Sequence, residues 1–409
     1  MLGLGQTTAK LARYRRQWER FLAAAKTTGA TAANTAPQAT GLAEQTSFGT
    51  NPGNLRMLTY VPEGLTPGAP LVVVLHGCTQ TAGGYDAGTG WSSLAARHGF
   101  ALLLPEQKRA NNHNACFTWF SAEDTTRERG EALSIRQMIE SMVVAHDIDR
   151  SRIYITGLSA GGAMSAVMLA TYPEVFAGGA IIAGLPYGSA TSVQEAFDAM
   201  FQCQPRPAPS WGDLVRAASS HSGPWPKISV WHGTADQTVK PANADEIIKQ
   251  WSDVHGLGAT LPSETSLDGH RYRVWHNEKG APVIESYMIT GMGHGVPIGA
   301  GCGQAAPFIL DVGISSTLRI AASWDLTAPQ PAEAAAPERN AKWERRAAGK
   351  PASAIIIDQD GRVLDEAPEG ANPSPAADDG ANAGDRTGTP RIDPGSVITK
   401  ALRAAGLMK

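Results

Sequence analysis

The chain has 409 residues, 42% of them hydrophobic, and a formal net charge of −3. That length supplies one large domain with a substantial core, or two modest ones. The balanced charge gives no electrostatic basis for nucleic-acid binding, and no apolar stretch approaches the roughly 18 to 20 residues needed to cross a bilayer.

Residues 8–26 read as an amphipathic helix. Leu11, Tyr14, Trp18, Phe21 and Leu22 recur at helical spacing, with Arg13, Arg16 and Arg20 on other faces. This N-terminus lacks the continuous apolar core and cleavage region of a secretory signal, so a cytoplasmic protein is the first expectation. An Ala-, Thr- and Gly-rich linker completes residues 1–47, and residues 48–327 are expected to form one globular domain. Residues 328–409 are too poor in large apolar side chains to fold independently. Two islands interrupt that tail: "SAIIIDQDGRVLDE", which reads as a hairpin with an Asp-Gly turn, and a short amphipathic helix, "SVITKALRAAGLMK". The "DQDG" is not a calcium loop, because its glycine is misplaced and no glutamate closes the site.

Within 48–327, strand-like and helix-like runs alternate. "LRMLTYVP" and the continuous apolar "PLVVVLHG" read as strands; the helical "WSSLAARHG" then precedes the strand "FALLLPEQ". The helix "ALSIRQMIESMVVAHD" leads to the strand "RIYITG", the helix "GGAMSAVMLATYP" and the strand "FAGGAIIAG". "KISVWHG", the helix "NADEIIKQWSDVHG" and "ESYMITGMGH" complete the series. Continuous β-rich runs separated by helices imply an α/β fold with a mostly parallel sheet covered on both faces. Ligands in such sheets sit beyond the carboxyl ends of the strands, where Ser159, His76, Asp236 and His294 all fall.

Gly157-Leu158-Ser159-Ala160-Gly161 matches the G-x-S-x-G pattern at a strand-to-helix junction. A turn that sharp strains the serine backbone, and side chains at Gly157 and Gly161 would strike the neighbouring strand and helix. A serine hydroxyl needs a base, and the base needs an orienting acid. Asp236 follows one strand and His294 the last, giving the Ser, Asp, His order of α/β-hydrolases. Asp245 and Asp311 are weaker candidates for the acid, the first lying within a helical pattern and the second beyond the histidine. Acyl transfer also requires donors aimed at an oxyanion; the backbone N–H groups of Ala160 and Cys78 are the expected pair, with His76 shaping the loop of Cys78. No metal or cofactor is implied, since the histidines are scattered and no phosphate-cradling glycine motif is correctly placed. Cys78, Cys116, Cys203 and Cys302 permit two bridges in any of three connectivities, or four thiols, and bridges would be unexpected in a cytoplasmic protein.

Five blocks in order, "LHGCTQTAGGY", "ITGLSAGGAMS", "WHGTADQTV", "GMGHGVPIGAGCG" and "APFILDVGISSTLRIAASWDL", resemble the esterase family of poly(3-hydroxybutyrate) depolymerases over about residues 48–327. Feruloyl and acetylxylan esterases are similar to the same family. The resemblance implies an α/β-hydrolase fold and hydrolysis of short-chain polyhydroxyalkanoate esters by a Ser159–His294–Asp236 triad through an acyl-enzyme. It also implies Cys78–Cys116 and Cys203–Cys302 disulfides. Secreted members carry a signal peptide, a linker and a substrate-binding domain that are not evident here. The N-terminal helix and tail look more like a cytoplasmic, granule-associated form, with an extracellular protein as the alternative. Residues 8–26 are then expected either to lie on a polymer granule, Trp18 and Phe21 buried and the arginines at the rim, or to pack on the chain's own domain. Two other readings stand beside the depolymerase: a feruloyl- or acetylxylan-type esterase, and a granule-coating protein without catalysis. Among the aromatics near the expected site, Trp119, Phe120, Trp211, Trp225, Trp231 and Trp324, most are expected in the core and a few along a substrate groove.

Overall fold

The computed structural model describes residues 41–327 and, outside that span, Arg16. Two strands open the fold, β1 (Ala43–Gln45) and β2 (Arg56–Tyr60), followed by β3 (Leu71–Leu75). Two short helices, α1 (Ala82–Thr89) and α2 (Trp91–His98), lead to β4 (Ala101–Glu106). Helices α3 (Ala122–Thr125) and α4 (Gly130–His146) precede β5 (Ile153–Leu158), α5 (Ala160–Thr171) and β6 (Gly178–Ile182). Then come α6 (Val193–Gln202), α7 (Ala208–Ala217), β7 (Lys227–Gly233) and α8 (Ala242–Val254). Strands β8 (Ser263–Leu267), β9 (His270–His276) and β10 (Pro282–Ile289) complete the main sheet; β11 (Val296–Ile298), β12 (Ile309–Asp311) and α9 (Ser316–Ser323) close the domain.

The sheet runs β1-β2-β4-β3-β5-β6-β7-β10-β9-β8. Its six central strands, from β4 to β10, are mutually parallel, and antiparallel pairs flank them on both sides. The sequence explains the division. Every residue of β3, β4, β5 and β6 is buried, as an unbroken apolar run requires when helices cover both faces of a parallel sheet. The edge strands β1 and β8 are polar and mostly exposed, a composition that discourages further pairing. Long aromatics fill the layers: Trp91, Trp211, Trp231 and Trp251 are fully buried, and Trp231 stacks on Tyr287 across the β7–β10 pair.

Register positions the functional edge. Leu75 lies opposite Gly157, Gly157 opposite Ile181, Ile182 opposite Trp231, and Gly233 opposite Ile289. The carboxyl ends of β3, β5, β6, β7 and β10 are thereby drawn into one row.

All strands expected within residues 48–327 are present. Strand β1, which pairs with β2, lies inside the stretch that composition assigns to the linker; helices α1, α3, α6, α7 and α9, hairpin β8–β9 and the β11–β12 pair are additional. No helix among the described residues is long and apolar enough to cross a membrane. Of the helix expected over 8–26 only Arg16 is described, and the hairpin and terminal helix of the tail lie outside the described residues.

Candidate active site

Ser159 sits between the end of β5 and the first residue of α5, with φ 58° and ψ −116°. A positive φ is costly for a residue with a Cβ, and the surroundings enforce it. Ser159 N–H donates to Ile182 O at 2.9 Å, while Ser159 O accepts from Ala163 N. A Cβ at Gly157 would stand 2.5 Å from Gly161 backbone atoms and 2.9 Å from Leu75 Cβ. One at Gly161 would stand 2.5 Å from the carbonyl oxygens of Leu75 and His76. The two glycines therefore let helix α5 and strands β3 and β5 close on one another, as the motif requires.

Two strands away, Asp236 lies just past β7, fully buried. Its Oδ1 accepts from Thr238 N at 2.8 Å and Val239 N at 3.0 Å. Its Oδ2 lies 2.7 Å from His294 Nδ1. The carboxylate can only accept, so Nδ1 carries the hydrogen and Nε2 is left as the basic nitrogen. Burial acts to raise the Asp236 pKa, but His294 beside it, with hydrogen bonds from His232 and His294, holds the carboxyl well below the usual range. The loops bearing the pair are interlocked: Thr234 N donates to Ile289 O, Ala235 N donates to Met292 O, and a Cβ at Gly233 would stand 2.3 Å from Met292 O. The other two acids are engaged elsewhere, Asp245 with Arg273 at 3.1 Å and Asp311 with the amide of Gly313.

Ala160 opens α5, so its N–H is among the first-turn amides that have no intrahelical partner. Cys78 occupies the loop after β3, which is pinned on both sides. Gly77 N donates to Gln80 Oε1, Gly77 O accepts from His76 Nδ1 at 2.8 Å, and Thr79 N donates to Asn114 O. His76 is fully buried, and its Nε2 accepts from Gln107 N; its role is the structural one expected. Cys78 is bridged to Cys116. Behind Cys116 lies a buried polar cluster that the sequence does not announce. Gln107 Nε2 donates to Cys116 O and Glu131 Oε1, while Glu131 Oε2 accepts from Thr118 N. The Thr118 hydroxyl lies 2.6 Å from both Glu131 Oε1 and Asp124 Oδ2. One hydroxyl has a single hydrogen, so one of the two carboxyls carries a proton. Burial, then the charge of Asp124, pushes Glu131 up to about 8, which makes it the protonated partner.

The expected Cys203–Cys302 bridge is absent, and both residues are free thiols. Cys203 caps the C-terminus of α6, whereas Cys302 Sγ faces the carbonyls of Thr89 and Gly90 at the α1–α2 junction. The two are held by different elements, so the second bridge implied by the family resemblance does not form in this chain. Trp211, Trp231 and Trp324 are core residues, the last stacked on Tyr154. Trp119 and Phe120 meet edge to face beside the bridged loop, and Trp225 packs against His221. Sequence reasoning passed over His232, which lies 3.3 Å from Asp236 Oδ2. Its signal was present in "WHGTAD", four residues ahead of the acid.

A doubly covered parallel sheet with a serine elbow on one strand end, and an acid–imidazole pair on strand ends farther along, defines an α/β-hydrolase. Residues 55–280 match the family model described as esterase PHB depolymerase, and the chain belongs to that family. It is 49% identical over 285 residues to poly(3-hydroxyalkanoate) depolymerase C of Paucimonas lemoignei, covering 68% of this chain and 69% of that protein. Acetylxylan esterase A of Aspergillus oryzae is 33% identical over 269 residues, covering 64% of this chain and 86% of its own. The solved acetyl xylan esterase from Aspergillus awamori superimposes with a TM-score of 0.57 at 28% identity, over 62% of this chain and 93% of that one. The protein is a carboxylic ester hydrolase.

Proposed function

We propose that the chain hydrolyses esters of poly(3-hydroxybutyrate) or related short-chain polyhydroxyalkanoates through an acyl-enzyme on Ser159. His294 Nε2 takes the hydroxyl proton as Ser159 Oγ attacks the ester carbonyl, and Asp236 holds the imidazole in the tautomer that permits this. The tetrahedral oxyanion receives the N–H groups of Cys78 and Ala160. His294 then returns the proton to the departing alcohol, and a water attacking the acyl-enzyme repeats the sequence. The observation that carries the reading is the 2.7 Å contact between Asp236 Oδ2 and His294 Nδ1, on loops beside the row of strand ends that includes the Ser159 elbow.

The 49% identity to a poly(3-hydroxyalkanoate) depolymerase supports the polyester as substrate. A second reading, an esterase for acetyl or feruloyl groups on plant polysaccharide, is favoured by the superposition on an acetyl xylan esterase. Acyl preference depends on pocket shape rather than on the catalytic set, so the two share one mechanism. Residues 48–327 would be the catalytic domain, with 1–47 and 328–409 flanking it. Residues 8–26 would seat on an apolar polymer surface, and the Cys78–Cys116 bridge supports an oxidising compartment over a reducing one.

The deciding assay presents amorphous polyhydroxybutyrate, p-nitrophenyl butyrate, acetylated xylan and methyl ferulate to the wild-type chain and to Ser159→Ala. Polymer clearing that disappears in Ser159→Ala is the expected result, with a drop of at least about 10⁴-fold on the soluble ester. Turnover of the polysaccharide esters with no clearing would establish the second reading. Full activity in Ser159→Ala would refute both.

A further inference from the structure

His232 is the penultimate residue of β7, fully buried and paired in register with Met288. Its Nε2 faces two acceptors, Val239 O at 2.9 Å and Asp236 Oδ2 at 3.3 Å. A carbonyl and a carboxylate both require a donor, so the hydrogen resides on Nε2. Its Nδ1 is buried and finds no hydrogen-bond partner among the described residues. An apolar side chain of similar size would remove the unmatched Nδ1 but would leave Val239 O and Asp236 Oδ2 without this donor. What the imidazole supplies here is one N–H that bonds Val239 O at the end of the Asp236 loop and lies 3.3 Å from Asp236 Oδ2.

We propose that His232 is a positioning residue for the reaction, fixing Asp236 Oδ2 at the point where it receives His294 Nδ1–H. With it, Asp236 is surrounded by four N–H groups: Thr238 and Val239 on Oδ1, His294 and His232 on Oδ2. That number matches the lone-pair capacity of a carboxylate, so no rotation about its Cβ–Cγ bond improves its bonding. Because His232 also holds Val239 O, it closes the loop that carries Asp236 back onto its own strand. His232 touches neither substrate nor transferred proton; it acts through Asp236. The lowered pKa of Asp236, to which the His232 hydrogen bond contributes, agrees with this arrangement.

The inference rests on Ser159, Asp236 and His294 being the catalytic set, and its test keeps the two apart. Ser159→Ala is measured first, and retained turnover of p-nitrophenyl butyrate would overturn the catalytic set and this inference with it. Where Ser159→Ala is inactive, His232→Met and His232→Gln are compared, since the two side chains have similar length and only glutamine carries an N–H. In His232→Met, kcat is expected to fall about 10- to 100-fold with KM unchanged within about two-fold, and His232→Gln is expected to recover most of the loss. Equal kcat in the two variants would overturn the positioning role. A second measurement needs no folded variant: nitrogen-15 spectra of the wild-type histidines should place the His232 hydrogen on Nε2. Finding it on Nδ1 would overturn the inference whatever the variants do.

Discussion

Replacing Gly161 by alanine is the most direct test of how the elbow is held. The added Cβ would stand 2.5 Å from the carbonyl oxygens of Leu75 and His76 and 2.8 Å from the carbonyl carbon of Leu75, where ordinary contact begins near 3.4 Å. The shortfall is about 0.9 Å, and neither neighbour is a flexible side-chain end that could move aside. Either α5 lifts away from β3 or the end of β3 is displaced. Both routes are expensive, because the same helix is packed tightly at its next residue too, where a Cβ on Gly162 would stand 2.9 Å from the carbonyl oxygens of Gly157 and Ile182. Overpacking of this kind costs about 1–3 kcal/mol of stability. A shift approaching 1 Å at a nucleophile costs about 100-fold in rate. Gly161→Ala should therefore show a lowered melting temperature and a kcat on p-nitrophenyl butyrate reduced by about two orders of magnitude, in a chain that remains folded. Wild-type kcat together with wild-type melting would refute the claim that strand–helix contact sets the position of Ser159.

Three further outcomes are expected. Asp236→Asn should keep the fold and lose about 10⁴-fold in kcat, measured on the same ester, because an amide can present a donor where His294 requires an acceptor. Reducing the Cys78–Cys116 bridge, which closes a separation of 38 residues, should lower unfolding free energy by about 4 kcal/mol and depress kcat as the Cys78 amide loosens; denaturant titration with and without reductant checks it. Glu131 binds its proton more tightly when folded than when unfolded, so its contribution is complete below the ordinary carboxylate range and is lost as pH rises toward and through about 8. Denaturant midpoints should accordingly fall between about pH 4.5 and 8 and level off above that, and Glu131→Gln should flatten that slope.

Local patterns carried far in this chain. Unbroken apolar runs such as "LVVVL" identify strands buried on both faces, and the glycines around Ser159 announce a close approach because that residue type alone leaves the space empty. The order of Ser159, Asp236 and His294 after successive strands foretold which residues lie at the strand ends, since a parallel sheet puts the end of every strand on one side. Strand β1 escaped notice because three exposed polar residues have no periodicity to read. Helices α6 and α7 lie in the stretch between β6 and β7, which the alternation of strands and helices did not resolve.

What the sequence determined by itself was the strands β2 to β7 and β10, the glycine-flanked turn at Ser159, and the placing of Asp236 and His294 just after strand ends, since each follows from residue type and spacing along one stretch of chain. Tertiary structure decided the partners. The pairing of Cys78 with Cys116, the separation of Cys203 from Cys302, the Thr118 hydroxyl held between Glu131 and Asp124, and the approach of His232 Nε2 to Asp236 depend on ångström-level placement. Hydrogen bonds and disulfides are short-ranged and directional, whereas burial of apolar surface is neither, so only the latter leaves a periodic trace in the order of residues.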